Sequence, residues 1–389
     1  MKISSDRIAF VLPSTLLLDH FIDIWLNMSP ETIAIVLSEP PNEEDFTRTF
    51  LIDYLLSKGF SSESIGKLEL IGSANLIENG PYYPVVVSNQ RLGLLTSNSV
   101  EHLVQRGFTS ADVMDLNSVR GIEAMGRYQV RFPYGGDTSY HWSHGEWNEI
   151  YDHFLCIGSQ DEARLKVLFP SAEFSIIGYP KYGDFWSPNS GDLGNVQDEL
   201  YGADNLVTWL PTFSEHNSVV DWIEIIVEVG TVREVVVRPH KFTAIHHPDQ
   251  WEMILDSGLK VDSFWERDLS SVYQSSATIL CDFGGSVTSA LYLDKDIICL
   301  EVPTMEKEWW AEGSNVVAVR EQLGIQKIKN GAPGLMFRLS DALTKERQVD
   351  IREHLRRDIY GPRISDPVGR TITILEQILV LQMESTEVK

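Results

Sequence analysis

The fold of the C-terminal half of the chain follows from one stretch of sequence, Thr278-Ile279-Leu280-Cys281-Asp282-Phe283-Gly284-Gly285-Ser286. Its apolar part, Thr278–Cys281, predicts a buried strand, and the glycines that follow predict a tight turn into a helix over 286–293. Another apolar run at 296–301 predicts the next strand. This order of strand, helix and strand is typical of a parallel sheet that is covered by helices.

The same alternation continues on both sides of this stretch. In the C-terminal half it predicts strands at 206–210, 232–238 and 259–264, and helices at 219–229, 248–257 and 267–276. In the N-terminal half it predicts strands at 7–13, 32–38, 84–88, 128–132 and 154–158, and helices after residues 14–15 and over 43–58. Each half is therefore predicted to be a Rossmann-like α/β unit.

Glycines and prolines cluster between residues 178 and 204, which predicts a domain boundary there. A chain of 389 residues also exceeds what one hydrophobic core usually organises. We therefore expect an N-terminal domain at 1–178 and a C-terminal domain at 179–365, with ligands bound in a central cleft where the two sheets face each other. The tail 366–389 is predicted to be a helix that could pack back on the N-terminal domain.

The chain has 56 acidic and 32 basic residues, which give a formal net charge of −24. Such a field repels nucleic acid and anionic lipid, so neither is an expected partner through a broad basic surface. No apolar run approaches the length of about 18 residues that a membrane span needs. The first residues lack a signal-peptide pattern, and the three cysteines lack metal-ligand spacing. We expect a cytoplasmic protein without a transmembrane segment.

Phosphate binding is the chemistry predicted for the glycine turn. Gly284 and Gly285 let a ligand approach the backbone closely, and the start of the following helix favours an anion. Ser286, Thr288 and Ser289 add hydroxyl donors. The alternative is a tight strand-to-helix turn that a serine caps.

Three basic side chains, Arg238, His240 and Lys241, follow directly after a run of three valines. At the end of a strand, the charges of Arg238 or Lys241 could neutralise a diphosphate, and His240 could donate a hydrogen bond to a leaving phosphate. The alternative is a surface loop with a structural histidine.

A third cluster, Tyr140-His141-Trp142-Ser143-His144-Gly145-Glu146-Trp147, precedes the strand predicted at 154–158. It is rich in groups that can bind a polyhydroxy molecule or remove its proton. His144 is the stronger candidate for a general base, and His141 and Glu146 are its rivals. The alternative is an aromatic loop that is buried at the domain junction.

Several common catalytic motifs are absent from the sequence. There is no His-Glu-x-x-His, no pair of Cys-x-x-Cys and no Asp-x-Asp at a strand end, so we expect no metal site. The Walker phosphate loop, a Gly-x-Gly-x-x-Gly after the first strand, and Gly-x-Ser-x-Gly are also missing, which disfavours ATPases, dehydrogenases and α/β-hydrolases. No cofactor is expected.

Taken in order, several segments resemble the CDP-glycerol glycerophosphotransferase family, whose members have the GT-B fold and build teichoic-acid-type and capsular polymers. The segments are His144-Gly145, Gly178-Tyr179-Pro180-Lys181-Tyr182-Gly183-Asp184, Trp209-Leu210-Pro211-Thr212, Arg238-Pro239-His240 and Cys281-Asp282-Phe283-Gly284-Gly285-Ser286. Two departures stand out. Lys181 replaces an arginine of the family, and glycines replace two serines of its phosphate turn.

The resemblance implies a metal-independent transferase. It would move a sugar or glycerophosphate group from a CDP-, CMP- or UDP-linked donor to a hydroxyl of a glycan or polyol acceptor, and a partner or a lipid-linked acceptor could bring it to a membrane. His144 would be the acceptor-activating base, and His240 would assist the donor phosphate. The donor would be held by Arg238, Lys181, Thr212, Gly284, Gly285, Ser286 and Ser289. The acceptor would be held by His141, Glu146 and Ser14.

The run Asp282-Phe283-Gly284-Gly285 is also similar to the Asp-Ser-Gly-Gly turn of non-hydrolysing UDP-GlcNAc 2-epimerases, which share the GT-B fold. Those enzymes carry Gly-Thr-Arg-Pro-Glu after their first strand, where this chain has Leu12-Pro13-Ser14-Thr15. An epimerase-like enzyme is therefore the second hypothesis. A non-catalytic subunit that binds a sugar nucleotide is the third.

Overall fold

Two parallel sheets carry the fold of this chain in its computed structural model. The structure describes residues 5–12, 15–37, 47–73, 75–76, 82–89, 125–133, 135, 146–186, 200–202, 205–213, 217–265, 267, 269–300, 302, 316, 319, 334–335 and 342–387. Among these residues, no helix combines the length and the apolar composition that crossing a membrane requires.

The first sheet has seven parallel strands in the spatial order β3-β2-β1-β4-β5-β6-β7. Its strands are β1 (Ile8–Leu12), β2 (Ile33–Leu37), β3 (Glu69–Gly72), β4 (Tyr83–Ser88), β5 (Gly126–Arg131), β6 (His153–Cys156) and β7 (Glu173–Ile176). The helices α1 (Leu18–Asn27), α2 (Arg48–Ser57), α3 (Ser62–Lys67) and α4 (Ser159–Leu168) connect strands along the chain. The central strand β1 is apolar and buried at every position, as expected when helices cover both faces of a sheet.

The second sheet has five parallel strands in the spatial order β10-β9-β8-β11-β12. Its strands are β8 (Val207–Leu210), β9 (Val235–Val237), β10 (Lys260–Val261), β11 (Thr278–Cys281) and β12 (Asp296–Cys299). Its helices are α5 (Val219–Gly230), α6 (Lys241–His246), α7 (Pro248–Asp256), α8 (Leu269–Ser275) and α9 (Gly285–Tyr292). The order of strands reverses between β8 and β11, where Cys281 pairs with Leu210 on one side and with Cys299 on the other.

The chain divides into two compact units. The first comprises Met1–Tyr134, Gly145–Gly183 and Arg363–Lys389, and the second comprises Gly135–His144 and Asp184–Pro362. The predicted domain ranges, 1–178 and 179–365, stay a prediction.

Two long helices near the C-terminus belong to different units. The helix α10 (Ala342–Tyr360) is part of the second unit, where Arg352 binds Asp294 at 2.8 Å and also binds Asp296. The helix α11 (Pro367–Glu387) is part of the first unit, and its Leu375 and Ile378 lie in the core beside β1 and α1.

Every strand predicted from the sequence overlaps an observed strand, and the α/β class is confirmed. The sequence did not predict β3 and β7, which are the edge strands of the first sheet. Both begin with glutamate and neither contains a fully buried residue, so their apolar signal is weak.

Candidate functional site

The carboxyl ends of β8 and β11 mark the topological switch point of the second sheet, since the strand order reverses between them. In open α/β sheets, ligands bind outside the carboxyl ends of the strands at such a point. Three predicted site segments follow strands that end at this edge. Thr212 comes after β8, His240 comes after β9, and the glycine turn comes after β11. This edge of the second unit is the candidate site.

The buried side chain of Asp282 joins the loop after β8 to the turn after β11. Its Oδ1 accepts hydrogen bonds from the backbone N–H of Thr212 at 2.9 Å and of Phe283 at 2.7 Å. Its Oδ2 accepts from the backbone N–H and from the hydroxyl of Ser218, both at 2.8 Å. One carboxylate therefore fixes both loops of the switch point to each other.

The environment of Asp282 explains why a carboxylate can occupy this position. Burial raises the pKa of the Asp282 carboxyl, and the hydrogen bonds from Ser218, Thr212 and Phe283 act against that rise. Such donors offset the cost of removing a carboxylate from water. The hydroxyl of Ser218 also accepts a hydrogen bond from Nε1 of Trp209 at 3.0 Å, which extends the network into the core.

The glycine turn requires glycine at its first position. Gly284 has φ +73° and ψ −156°, a combination that is essentially restricted to glycine. A Cβ at Gly284 would lie 3.6 Å from Oγ1 of Thr212, so the turn lies directly against the end of β8. Gly285 begins α9 and is exposed, and none of the described residues beyond its chain neighbours and its own helix backbone has an atom within 4 Å of the place its Cβ would take. The accessible backbone at this helix start favours an anion.

The two serines of this segment differ in their access to a ligand. Ser286 is half-buried, and its hydroxyl donates to the carbonyl of Phe283 at 3.1 Å, which closes the turn. Ser289 is only 3% exposed, so protein atoms enclose it. The structure therefore does not support the predicted contact of Ser289 with a phosphate.

His240 is the N-cap residue of α6. Its Nδ1 accepts a hydrogen bond from the backbone N–H of Phe242 at 3.2 Å. In a neutral ring the proton is then carried by Nε2. The ring is half-buried and lies against Phe213, with 5.2 Å between the two ring centroids. Because Phe213 directly follows Thr212, His240 and the glycine turn belong to one continuous surface.

Arg238 has a structural role that differs from its predicted one. The side chain is buried, and its Nη1 donates to Oδ2 of Asp262 at 2.5 Å and to the carbonyl of Phe264 at 3.1 Å. Its Nη2 donates to the carbonyls of Trp265 at 3.3 Å and Arg267 at 3.0 Å. The guanidinium thus holds the loop after β10, and this geometry does not support its predicted contact with the donor phosphate.

Lys181 lies in the first unit, whereas the sequence placed it in the donor domain. It belongs to the short 3₁₀ segment Pro180–Trp186, next to Tyr179, whose ring stacks on that of His20 with 6.0 Å between centroids. Burial and, to a smaller extent, the charge of Lys181 lower the pKa of His20 well below its usual value. Lys181 therefore lies close enough to His20 to influence its pKa within the first unit.

The predicted acceptor side of the site falls largely on residues whose placement is not described. His141, His144 and Ser14 lie outside the described residues. Glu146 begins a 3₁₀ helix, Glu146–Ile150, and its side chain is also outside the described part. The roles of these residues stay predictions.

Two residues of the site were missed by sequence reasoning. Asp282 lies in the glycine motif but has no role in the sequence-based prediction, and Phe213 belongs to none of the predicted site segments. Both follow a short apolar strand. Asp282 comes directly after Cys281, and Phe213 comes after Pro211 and Thr212. A polar or aromatic residue at the carboxyl end of a parallel strand is the signal that could have identified them.

No protein-family model and no curated protein sequence matches the chain. Solved structures do resemble it. The wall teichoic acid polymerase TagF has a TM-score of 0.59 at 11% identity, over 98% of this chain and 91% of that one. A putative UDP-N-acetylglucosamine 2-epimerase from Listeria monocytogenes has a TM-score of 0.55 at 11% identity, over 96% of both chains. A UDP-GlcNAc 2-epimerase from Neisseria meningitidis, solved with bound UDP-GlcNAc, has a TM-score of 0.53 at 11% identity, over 98% of this chain and 100% of that one.

At this level of identity the likeness establishes the fold. The chain has an α/β fold of the GT-B type, with a parallel Rossmann-like sheet in each unit, as predicted. The three similar structures named above belong to the two enzyme classes that the sequence motifs indicate.

Replacement of Gly284 by alanine should destabilise the second unit, because a Cβ is strained at φ +73° and ψ −156°. We expect a loss of about 1–3 kcal/mol in the free energy of unfolding. Gly285→Ala is the matched control, and its effect should stay within about 0.5 kcal/mol. Urea denaturation, with hydrogen exchange of peptides from 278–292 to identify the second unit, measures both. Equal stability of the two variants would contradict the assigned turn geometry.

The stability of the first unit should fall as the pH drops below 6.5, the usual pKa of histidine. The pKa of His20 is lowered in the folded chain, so the unfolded chain binds more protons below that pH. His20 should contribute a slope of up to about 1.4 kcal/mol per pH unit, and His20→Phe should remove that part of the slope. Hydrogen exchange of α1 peptides between pH 5 and 8 measures it. A variant with the slope of the wild type would contradict the burial of His20.

Proposed function

We propose that the chain is a group transferase that takes its nucleotide-activated donor at the carboxyl edge of the second sheet. The observation that carries this proposal is the glycine turn at the switch point of that sheet, with an accessible helix start at Gly285 and with His240 on the same surface. The likeness to TagF and to UDP-GlcNAc 2-epimerases supports a fold suited to this chemistry.

The donor phosphate is placed at the start of α9, where the backbone of Gly285 and Ser286 and the helix dipole stabilise negative charge. His240, which follows β9, contributes a side-chain hydrogen-bond donor on the same surface as this turn. Because the backbone of Phe242 donates to Nδ1 of His240, the neutral ring presents a proton on Nε2. That proton can form a hydrogen bond to the oxygen that becomes negative when the donor bond breaks.

The acceptor hydroxyl loses its proton to a general base, for which His144 is the candidate. Its oxygen forms a bond to the activated carbon or phosphorus of the donor, and the bond from that atom to the leaving phosphate oxygen breaks. The proposal involves no metal and no cofactor. The donor is a CDP-, CMP- or UDP-linked sugar or polyol, and the acceptor is a hydroxyl of a cell-surface glycan or polymer precursor.

An epimerase acting on a nucleotide sugar is the second candidate. It is favoured by the run Asp282-Phe283-Gly284-Gly285 and by the presence of epimerases among the similar structures. The two functions differ in one requirement, because an epimerase converts its nucleotide sugar without an acceptor. A chain that binds the nucleotide but neither converts nor transfers it would be the third possibility, a binding subunit.

Calorimetric titration with CMP, CDP, UDP and GDP should identify the nucleotide, and incubation of the matching donor with and without acceptor separates the candidates. The transferase predicts product only when acceptor is present. Product without acceptor would favour the epimerase, and saturable binding without any product would favour the binding subunit.

His240→Ala and His240→Asn should each lower the transfer rate by about 10²–10³, since each removes the donor at Nε2. Asparagine keeps the helix cap, because its side-chain oxygen can accept from the backbone of Phe242 in place of Nδ1. His144→Ala should lower the rate by about 10²–10⁴. His354→Ala is the control, since that side chain is 69% exposed on α10, and it should retain the wild-type rate. If both His240 variants kept near-normal turnover, the assigned role of His240 would be wrong.

A further inference from the structure

Five aromatic rings gather at the carboxyl edge of the second sheet, with Phe213 at their centre. The centroid of the Phe213 ring lies 5.2 Å from His240, 5.6 Å from Phe242, 6.2 Å from His246 and 6.1 Å from His247. His240 and Phe242 also lie 5.2 Å apart and support each other. The loop after β8 thus rests on the loop and helix that follow β9.

Phe213 remains 38% exposed despite these contacts. Its neighbours restrict its position, because the ring of His240 lies at 31° to it and that of Phe242 meets it edge to face at 76°. A phenyl ring that is held in place and still open to solvent offers a flat apolar surface to a ligand.

This aromatic surface adjoins the predicted phosphate site. Phe213 directly follows Thr212, whose Oγ1 lies 3.6 Å from the position of a Cβ on Gly284 and whose backbone N–H is fixed by Asp282. A molecule that combines a phosphate with a flat aromatic ring could therefore occupy the glycine turn and the Phe213 ring together. Nucleotides have that combination.

We propose that Phe213, supported by His240 and Phe242, is the platform on which the nucleobase of the donor stacks. This inference rests on the proposed function and adds the subsite for the base. Stacking uses the π-face that every base has, so the platform contributes affinity without selecting one base. His240 serves both parts of the site, since its ring supports Phe213 while its Nε2 serves the leaving phosphate.

Calorimetric titration of the full chain with CDP, UDP, ADP and inorganic pyrophosphate tests the platform. Phe213→Leu should weaken the binding of all three nucleotides by about 5- to 100-fold and leave pyrophosphate binding unchanged. Phe213→Trp should restore nucleotide affinity, because it keeps an aromatic face. The control is Phe264→Leu, a residue of the same unit that is 57% exposed, and it should bind like the wild type.

The outcomes separate this proposal from the function on which it rests. If the wild type binds nucleotides and Phe213→Leu binds them equally well, the platform is refuted while the donor site survives. An equal loss for pyrophosphate and nucleotides would also refute it, since the effect would then concern the phosphate. If the wild type binds neither these three nucleotides nor CMP, both proposals fail.

Discussion

The site depends on the hydrogen bonds that one buried carboxylate accepts. Asp282 receives the backbone N–H groups of Thr212, Ser218 and Phe283 and the hydroxyl of Ser218, and it thereby joins the two loops that flank the switch point of the second sheet. Removal of the carboxylate would leave several buried donors without an acceptor, at a cost of about 1–3 kcal/mol for each. The hydrogen bonds to Asp282 therefore hold the loop after β8 and the turn after β11 together.

The strand order, the conformation of Gly284 and the hydrogen bonds of Asp282 together determine where the site residues lie. The strand order puts the ends of β8 and β11 side by side, and the glycine conformation at Gly284 lets α9 begin directly behind β11. Asp282 then fixes the loop after β8 against that turn, which brings Phe213 to the ring of His240. The buried ion pair of Arg238 and Asp262 stabilises the loop after β10 from inside. The surface of the site is formed by His240 and Phe213.

Local patterns could be predicted from the sequence, and long-range partners could not. The strand Thr278–Cys281, the glycine turn and the second sheet follow from apolar periodicity and from the backbone freedom of glycine, which are properties of neighbouring residues. The role of Arg238 depends on Asp262 and on three carbonyl groups between 264 and 267. No local sequence pattern predicts that these acceptors surround the guanidinium. In the same way, the enclosure of Ser289 and the proximity of Lys181 to His20 arise only when distant elements pack.

A crystal structure of the protein with a bound nucleoside diphosphate tests most directly whether the start of α9 binds the donor phosphate. We expect phosphate oxygens within hydrogen-bonding distance of the backbone N–H groups of Gly285 and Ser286, with the four donor groups still bound to Asp282. A diphosphate bound elsewhere on the chain, with the start of α9 left in contact with solvent, would contradict it.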